Sequence, residues 1–366
     1  MLEDDENEYD NYYPQPKPPS TPSSPSTSSS PSSLLRLQRS LNLPREAASA
    51  TALERANVTP QITIHTHTIT PRYPEIPPPS HEPYTLRARI YTPRSHGYTP
   101  THLPVYLYFH GGGFFNGSLD SEDAMCARLV SSLSARGRPI ILVSADYRKT
   151  PQVRYPDPFE DAWEVFEWME RRMAWWNGDP NRVVVGGEDA GAGLAAWVAF
   201  FARTNVAGRR ELDTRGGRLV RVVGVVLCNP WMPFLDRVVE EARGRGQGES
   251  PGHFERKKER EREMFTHDFY RALLDIHHVE PGHHALGPWT ALGAMPPTYV
   301  LTFAESCLRL RQLMFAIMLM REGVDVHLNV LADSPHEIPD QELLPSSRPW
   351  GDELLEALLW CLRPME

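Results

Sequence analysis

A chain of 366 residues, 40% of them hydrophobic and 23% charged, holds enough apolar material for one large globular core with appendages. A net charge of −9 argues against a nucleic-acid partner, which would favour a basic face, and no apolar run is long enough to suggest a membrane span. The opening MLEDDENEYD is acidic and lacks the apolar stretch of a secretory leader, and Cys126, Cys228, Cys307 and Cys361 show no metal-ligand spacing, so reduced thiols in a cytoplasmic protein are expected.

In chain order, residues 1–33 are dominated by Pro, Ser and Thr from about Pro14 onward and are expected to be a disordered tail. A helical pattern follows from Leu34 to about Ala56, with Leu34, Leu35, Leu37 and Leu41 as its apolar side and Pro44 as an interruption. Gln61–Thr70 and Tyr84–Tyr91 alternate apolar and polar residues as strands do. Val105–Phe109 and Ile140–Ser144 are short, nearly continuous apolar runs, the pattern of central strands covered on both faces. Helices and strands then alternate: Phe159–Trp176, Val183–Gly186, Ala190–Thr204, Val220–Leu227, Thr298–Phe303, Leu308–Arg321, Val326–Leu331 and Asp352–Leu362. This order predicts an α/β fold, a mostly parallel sheet of about eight strands with helices on both faces. The mixed-sign run FERKKEREREM, Phe254–Met264, reads as a solvated helix face.

Two glycine-rich motifs carry the chemistry. His110-Gly111-Gly112-Gly113-Phe114 follows the strand VYLYF, and successive glycines present backbone N–H groups with no side chain in the way. Gly187-Glu188-Asp189-Ala190-Gly191 lies between a strand and a helix, where small residues let a sharp turn lift the central side chain above the sheet. That layout is a nucleophile elbow, G-x-S-x-G, with Asp189 where serine is usual.

With these motifs the chain resembles the hormone-sensitive-lipase-like (GDXG) esterases of the α/β-hydrolase fold, from about Val105 to the C-terminus. The resemblance also rests on Asp146-Tyr147-Arg148, Pro151, Tyr155-Pro156, Glu160-Asp161-Ala162, Gly178-Asp179-Pro180-Asn181-Arg182 and Pro296-Pro297. It implies one hydrolase domain over 34–366, with a helical cap from about 34–57 and 236–295. It implies backbone donors at Gly111, Gly112 and Ala190, an acid after the penultimate strand and a histidine near the C-terminus. In Glu305-Ser306-Cys307-Leu308-Arg309 the acid position holds Ser306, with Glu305 beside it, while the histidine is kept as His336 in Ser334-Pro335-His336. Two of three triad members, Asp189 and Ser306, therefore depart from the family pattern. Asp236, after strand six, is an alternative acid, more in keeping with a cap-boundary loop.

A carboxylate attacking an ester would give a high-energy mixed anhydride, so ordinary hydrolysis through Asp189 is disfavoured. Three chemistries stay open. They are attack on saturated carbon, as in epoxide hydrolases and haloalkane dehalogenases; acid–base work by Asp189 and His336 beside an oxyanion hole; and binding without catalysis, as in the plant gibberellin receptors. The expected partner is a small apolar organic or carbonyl/ester-type molecule, in a setting such as natural-product tailoring, with no cofactor. The pairs His277, His278 and His283, His284 lack the spacing of a metal site, and Trp175, Trp176, Trp231 and Trp289 read as packing residues, although Trp231 is placed to line a pocket.

Overall fold

The computed structural model describes residues 31–71, 84–94, 102–154, 156–204, 219–232, 289–304, 306, 308–332 and 347–364. Eight strands, β1 (Ile62–Ile69), β2 (Leu86–Pro93), β3 (Leu103–Phe109), β4 (Ile141–Ala145), β5 (Gly178–Glu188), β6 (Val222–Cys228), β7 (Thr298–Phe303) and β8 (Val326–Leu331), form one sheet in the order β1-β2-β4-β3-β5-β6-β7-β8. The pairs β1–β2 and β2–β4 are antiparallel and all others parallel. The helices are α1 (Pro31–Ala56), α2 (Asp123–Ala135), α3 (Asp157–Arg172), α4 (Ala190–Thr204), α5 (Arg309–Arg321) and α6 (Ser347–Cys361). This is the α/β-hydrolase fold that the sequence implies.

Every residue of β3 and β4 is buried, which explains their unbroken apolar runs: helices cover both faces. One core layer gathers Leu107, Phe109, Val185, Phe166 and Val198 on the side of α3 and α4. The other gathers Tyr106, Tyr108, Val130, Leu133, Val226 and Leu358 on the side of α2 and α6.

Several sequence expectations shift. Helix α2 has no counterpart among them; its buried face is built from Ala124, Cys126, Ala127, Val130 and Leu133, whose small residues mute the periodic signal. Helix α3 ends at Arg172, where Met173–Trp176 tighten into a 3₁₀ turn and Asn177, at φ +65°, reverses the chain into a longer β5. Trp175 is not a packing residue: it is 72% exposed, with the Arg172 guanidinium 3.9 Å from its ring centre. Helix α1 runs unbroken through Pro44, and Leu35, Leu37 and Leu41, expected on its inner side, are exposed. Its buried positions are Gln38, Ser49 and Ala52, and of the four expected leucines only Leu34 packs against the core. The stretches 1–30 and 236–288, which contain most of the expected tail and the expected insertion, lie outside the described residues.

Candidate active site

The parallel strands β3 and β5 end side by side, with Phe109 registered to Gly187, so the two glycine motifs emerge at the same carboxyl edge of the sheet. The elbow between β5 and α4 is tight. A methyl group built on Gly191 would lie 2.2 Å from the Phe109 carbonyl oxygen and 2.4 Å from that of His110, so α4 crosses β3 in bare backbone contact. At its apex Asp189 has φ +49°, a left-handed conformation that aspartate tolerates better than most residues. The Asp189 N–H donates to the Cys228 carbonyl at 2.9 Å, and its own carbonyl accepts from the Trp231 N–H at 3.0 Å and the Gly193 N–H at 3.3 Å. Trp231 is buried and its ring lies 5.3 Å from that of Phe114. The elbow is thus pinned to β6 and the segment after it.

The Asp189 carboxylate points into the glycine loop. Its Oδ2 accepts hydrogen bonds from the Gly113 N–H at 2.7 Å and the Gly112 N–H at 3.2 Å. Gly112, at φ +120° with no room for a side chain beside Asn116, makes that turn possible. Of the expected donors, Gly112 faces the elbow, Gly113 joins it although the motif alone did not single it out, and the Gly111 carbonyl turns back to His110. Ala190, the third expected donor, is fully buried as the first residue of α4. The aspartate therefore occupies the pair of backbone donors that the glycine loop presents to the elbow.

Behind this loop lies a charged support. The buried His110 ring stacks on Tyr147 at 4.4 Å, and the Tyr147 hydroxyl donates to the His110 carbonyl at 2.9 Å. His110 Nδ1 lies 2.8 Å from the Gly111 oxygen and Nε2 3.2 Å from Asp146, which also takes Arg87 at 2.8 Å and Lys149 at 2.5 Å. Burial pushes the Asp146 carboxyl up, but Lys149 and His110 outweigh it and hold the group well below the usual carboxylate range. Burial, helped by the nearby Lys149 charge, holds His110 below its ordinary 6.5 although Asp146 pulls the other way. As pH falls, the unfolded chain therefore takes up this proton before the folded one. The His110 contribution to stability is complete above about pH 6.5 and is lost as the pH drops to the folded-state value. Urea midpoints should fall between pH 7 and pH 5, and His110→Gln should flatten that part of the profile; a slope unchanged by the substitution would contradict the assignment.

Ser306, at the expected acid position, is buried in the turn after β7, where its Oγ accepts from the Leu308 N–H at 3.2 Å. Its hydroxyl thus helps to start α5, a structural task that needs no charge. His336, Glu305, Asp236 and the four histidines of the insertion lie outside the described residues, as does the side chain of Trp289. Among the described residues no group of three or more His, Cys, Asp or Glu side chains is placed to hold a metal ion, and no helix is long and apolar enough to cross a membrane.

The comparisons agree with this fold. The carboxylesterase NlhH of Mycobacterium tuberculosis is 40% identical over 101 residues, covering 28% of this chain and 30% of its own length. The gibberellin receptor GID1B of Arabidopsis thaliana is 32% identical over 143 residues, 38% of this chain and 35% of the receptor. The chain thus aligns with only about a third of the length of these relatives. The solved structure of a hyperthermophilic esterase from Pyrobaculum calidifontis superposes with a TM-score of 0.63 at 23% identity, over 91% of this chain and 99% of that one. A family model described as the alpha/beta hydrolase fold matches residues 106–340. By sheet order, motif placement and family match, the chain belongs to the α/β-hydrolase fold family, in its hormone-sensitive-lipase-like (GDXG) branch.

Proposed function

We propose that the chain is an atypical esterase-family enzyme that acts on a small, apolar carbonyl or ester-type molecule, of the kind modified in natural-product tailoring. Asp189 works in it as an acid–base group rather than as an acyl-transfer nucleophile. One observation carries the reading: the Asp189 carboxylate is bound by the Gly112 and Gly113 N–H groups. A substrate carbonyl that takes over these two donors displaces the carboxylate to its own flank. The freed carboxylate then removes a proton from the carbon next to the carbonyl. The C–H electron pair forms a carbon–carbon double bond, the carbonyl π pair moves to the oxygen, Asp189 becomes a neutral acid, and the amides again hold one negative charge. The pair that holds the carboxylate in the free protein holds a neutral carbonyl oxygen once substrate is bound. Its two N–H groups are already aimed at the oxygen on which charge develops, so the transfer needs little reorganisation of the donors. Isomerisation, cyclisation and condensation all begin with this step, and His336 is the proposed second proton carrier. Ester cleavage by direct attack would leave Asp189 in a mixed anhydride, a poor intermediate.

The test is deuterium wash-in at the carbon next to the carbonyl, followed by NMR on a panel of small apolar ketones and esters in heavy water. Wild type should exchange at least one of them, and Asp189→Asn should slow that exchange about a hundredfold. Equal rates in the two proteins would remove Asp189 from the chemistry. Turnover of p-nitrophenyl butyrate by wild type, abolished in Asp189→Asn, would replace this reading with ester hydrolysis. A second reading, a binding protein without catalysis, draws on the same contact, because a carboxylate resting in the donor pair closes the oxyanion site. It predicts saturable ligand binding with no wash-in.

A further inference from the structure

Between Leu34 and the buried Ala52, helix α1 turns a polar stripe towards the fold. Gln38, Asn42 and Glu46 are spaced by four residues and share one face. The Gln38 Nε2 donates to the Phe115 carbonyl at 2.5 Å and to that of Thr150 at 3.1 Å. Asn42 Oδ1 accepts from the Gly117 N–H at 2.8 Å, and Glu46 Oε1 accepts from the Ser118 hydroxyl at 2.7 Å. All three side chains thus reach 115–118, the return arm of the turn that presents Gly112 and Gly113. That arm is tied to the turn itself, since the N–H groups of Phe115 and Asn116 both donate to the Gly112 carbonyl at 2.9 Å. Gln38, Asn42, Glu46, Gly117 and Ser118 also line a cavity of about 410 Å³ whose other walls include Asp146 and Lys149. Open space lies beside the stripe, and its directed hydrogen bonds add to the packing that holds the arm, with Phe115 in the core and Gly117 against Gly111 and His110.

We infer that α1 is a polar clamp on the donor loop, in which Asn42 and Gln38 are positioning residues that set the direction of the Gly112 and Gly113 N–H groups. The inference rests on the reading of those two groups as the donors of the site. It assigns to the segment before the sheet a part in organising the site, carried by three side chains that touch no reacting atom. It also explains why the inner side of α1 is polar from Gln38 to Glu46: carboxamide and carboxylate groups can bond the backbone and hydroxyl groups of a loop, whereas leucines cannot.

Two measurements on the full chain test it. Hydrogen–deuterium exchange of the segment 110–118 should quicken about tenfold in Asn42→Ala and in Gln38→Ala, while α4 exchanges as in wild type. Asn42→Asp keeps the acceptor for the Gly117 N–H and should restore the slow rate. Exchange unchanged in both alanine variants, or quickened equally in α4, would overturn the clamp. In the second measurement Asp189→Gly vacates the amide pair at a position whose backbone suits glycine, and butyrate binding is followed by calorimetry. Adding Asn42→Ala should weaken butyrate about tenfold. An affinity that does not change overturns the clamp, whereas a failure of Asp189→Gly to bind butyrate at all overturns the reading of Gly112 and Gly113 as the donors of the site, and the clamp's role in the site with it. The deuterium wash-in result is independent of both and bears on the acid–base reading alone.

Discussion

Gly191→Ala should destabilise the protein by about 3 kcal/mol or more, enough to leave much of it unfolded or insoluble. The added methyl would meet the carbonyl oxygens of Phe109 and His110 at 2.2 and 2.4 Å, both of them backbone atoms at the end of the central strand β3. No rotamer change relieves such a clash, because the group has no rotamer and the oxygens belong to the sheet. Relief requires α4 to move away from β3, which would open the best-packed part of the core. Gly351 offers a control of opposite sign. It lies in α6 with nothing among the described residues within 4 Å of an added methyl, so Gly351→Ala should raise stability by about 0.5–1 kcal/mol. Urea unfolding of the two variants checks both, and a Gly191→Ala midpoint close to wild type would mean that the elbow is looser than described.

Arg148→Met should cost about 3–5 kcal/mol. The Asp161 side chain is completely buried, and Arg148 meets it with its Nη2 at 2.7 Å, its Nε at 2.9 and 3.0 Å, and its backbone N–H at 2.8 Å. Removal of the guanidinium leaves a carboxylate in the core without its counter-charge. Two further results identify that cause. Burial already pushes the Asp161 carboxyl up, with Arg148 opposing, so loss of the arginine should push it further. The folded variant then holds its proton more tightly than the unfolded chain, and stability should recover as the pH is lowered from 7 towards 5. A double variant, Arg148→Met with Asp161→Leu, carries no buried charge and should regain most of the loss at neutral pH. A single variant whose deficit is the same at pH 5 and pH 7 would point to lost packing instead, including the stacking of Arg148 on Tyr84 at 3.5 Å.

The sequence discloses features whose cause is local. The runs VYLYF and ILVS are legible as central strands because burial on both faces leaves no polar position, and the strand-to-helix turns are legible because tight turns need small residues at fixed spacing. Long-range pairings leave no such trace. HGGGF announces a donor loop, but which glycine N–H groups face Asp189 depends on how the loop folds over the elbow. Nothing near His110 in the chain points to Asp146, 36 residues away, or to the Arg87 and Lys149 that complete the cluster. Helix α1 misleads in a more instructive way. Its first four leucines look like a core stripe, yet only Leu34 of them packs against the core, and where the helix meets the loop 115–118 Gln38 and Asn42 take the inner face and bond its backbone.

The backbone of Asp189 has an evolutionary consequence. A residue held at φ +49° is strained when it is serine, and less strained when it is aspartate, which is enriched in this conformation. Asp189 also fills the neighbouring donor pair with its own charge, so two local frustrations are relieved together. A lineage that exchanged serine for aspartate at this apex would have gained folding stability as it gave up acyl transfer, the usual trade between a strained reactive group and a relaxed one. The reverse step is then uphill in stability: Asp189→Ser should melt at a lower temperature than wild type, whatever activity it acquires.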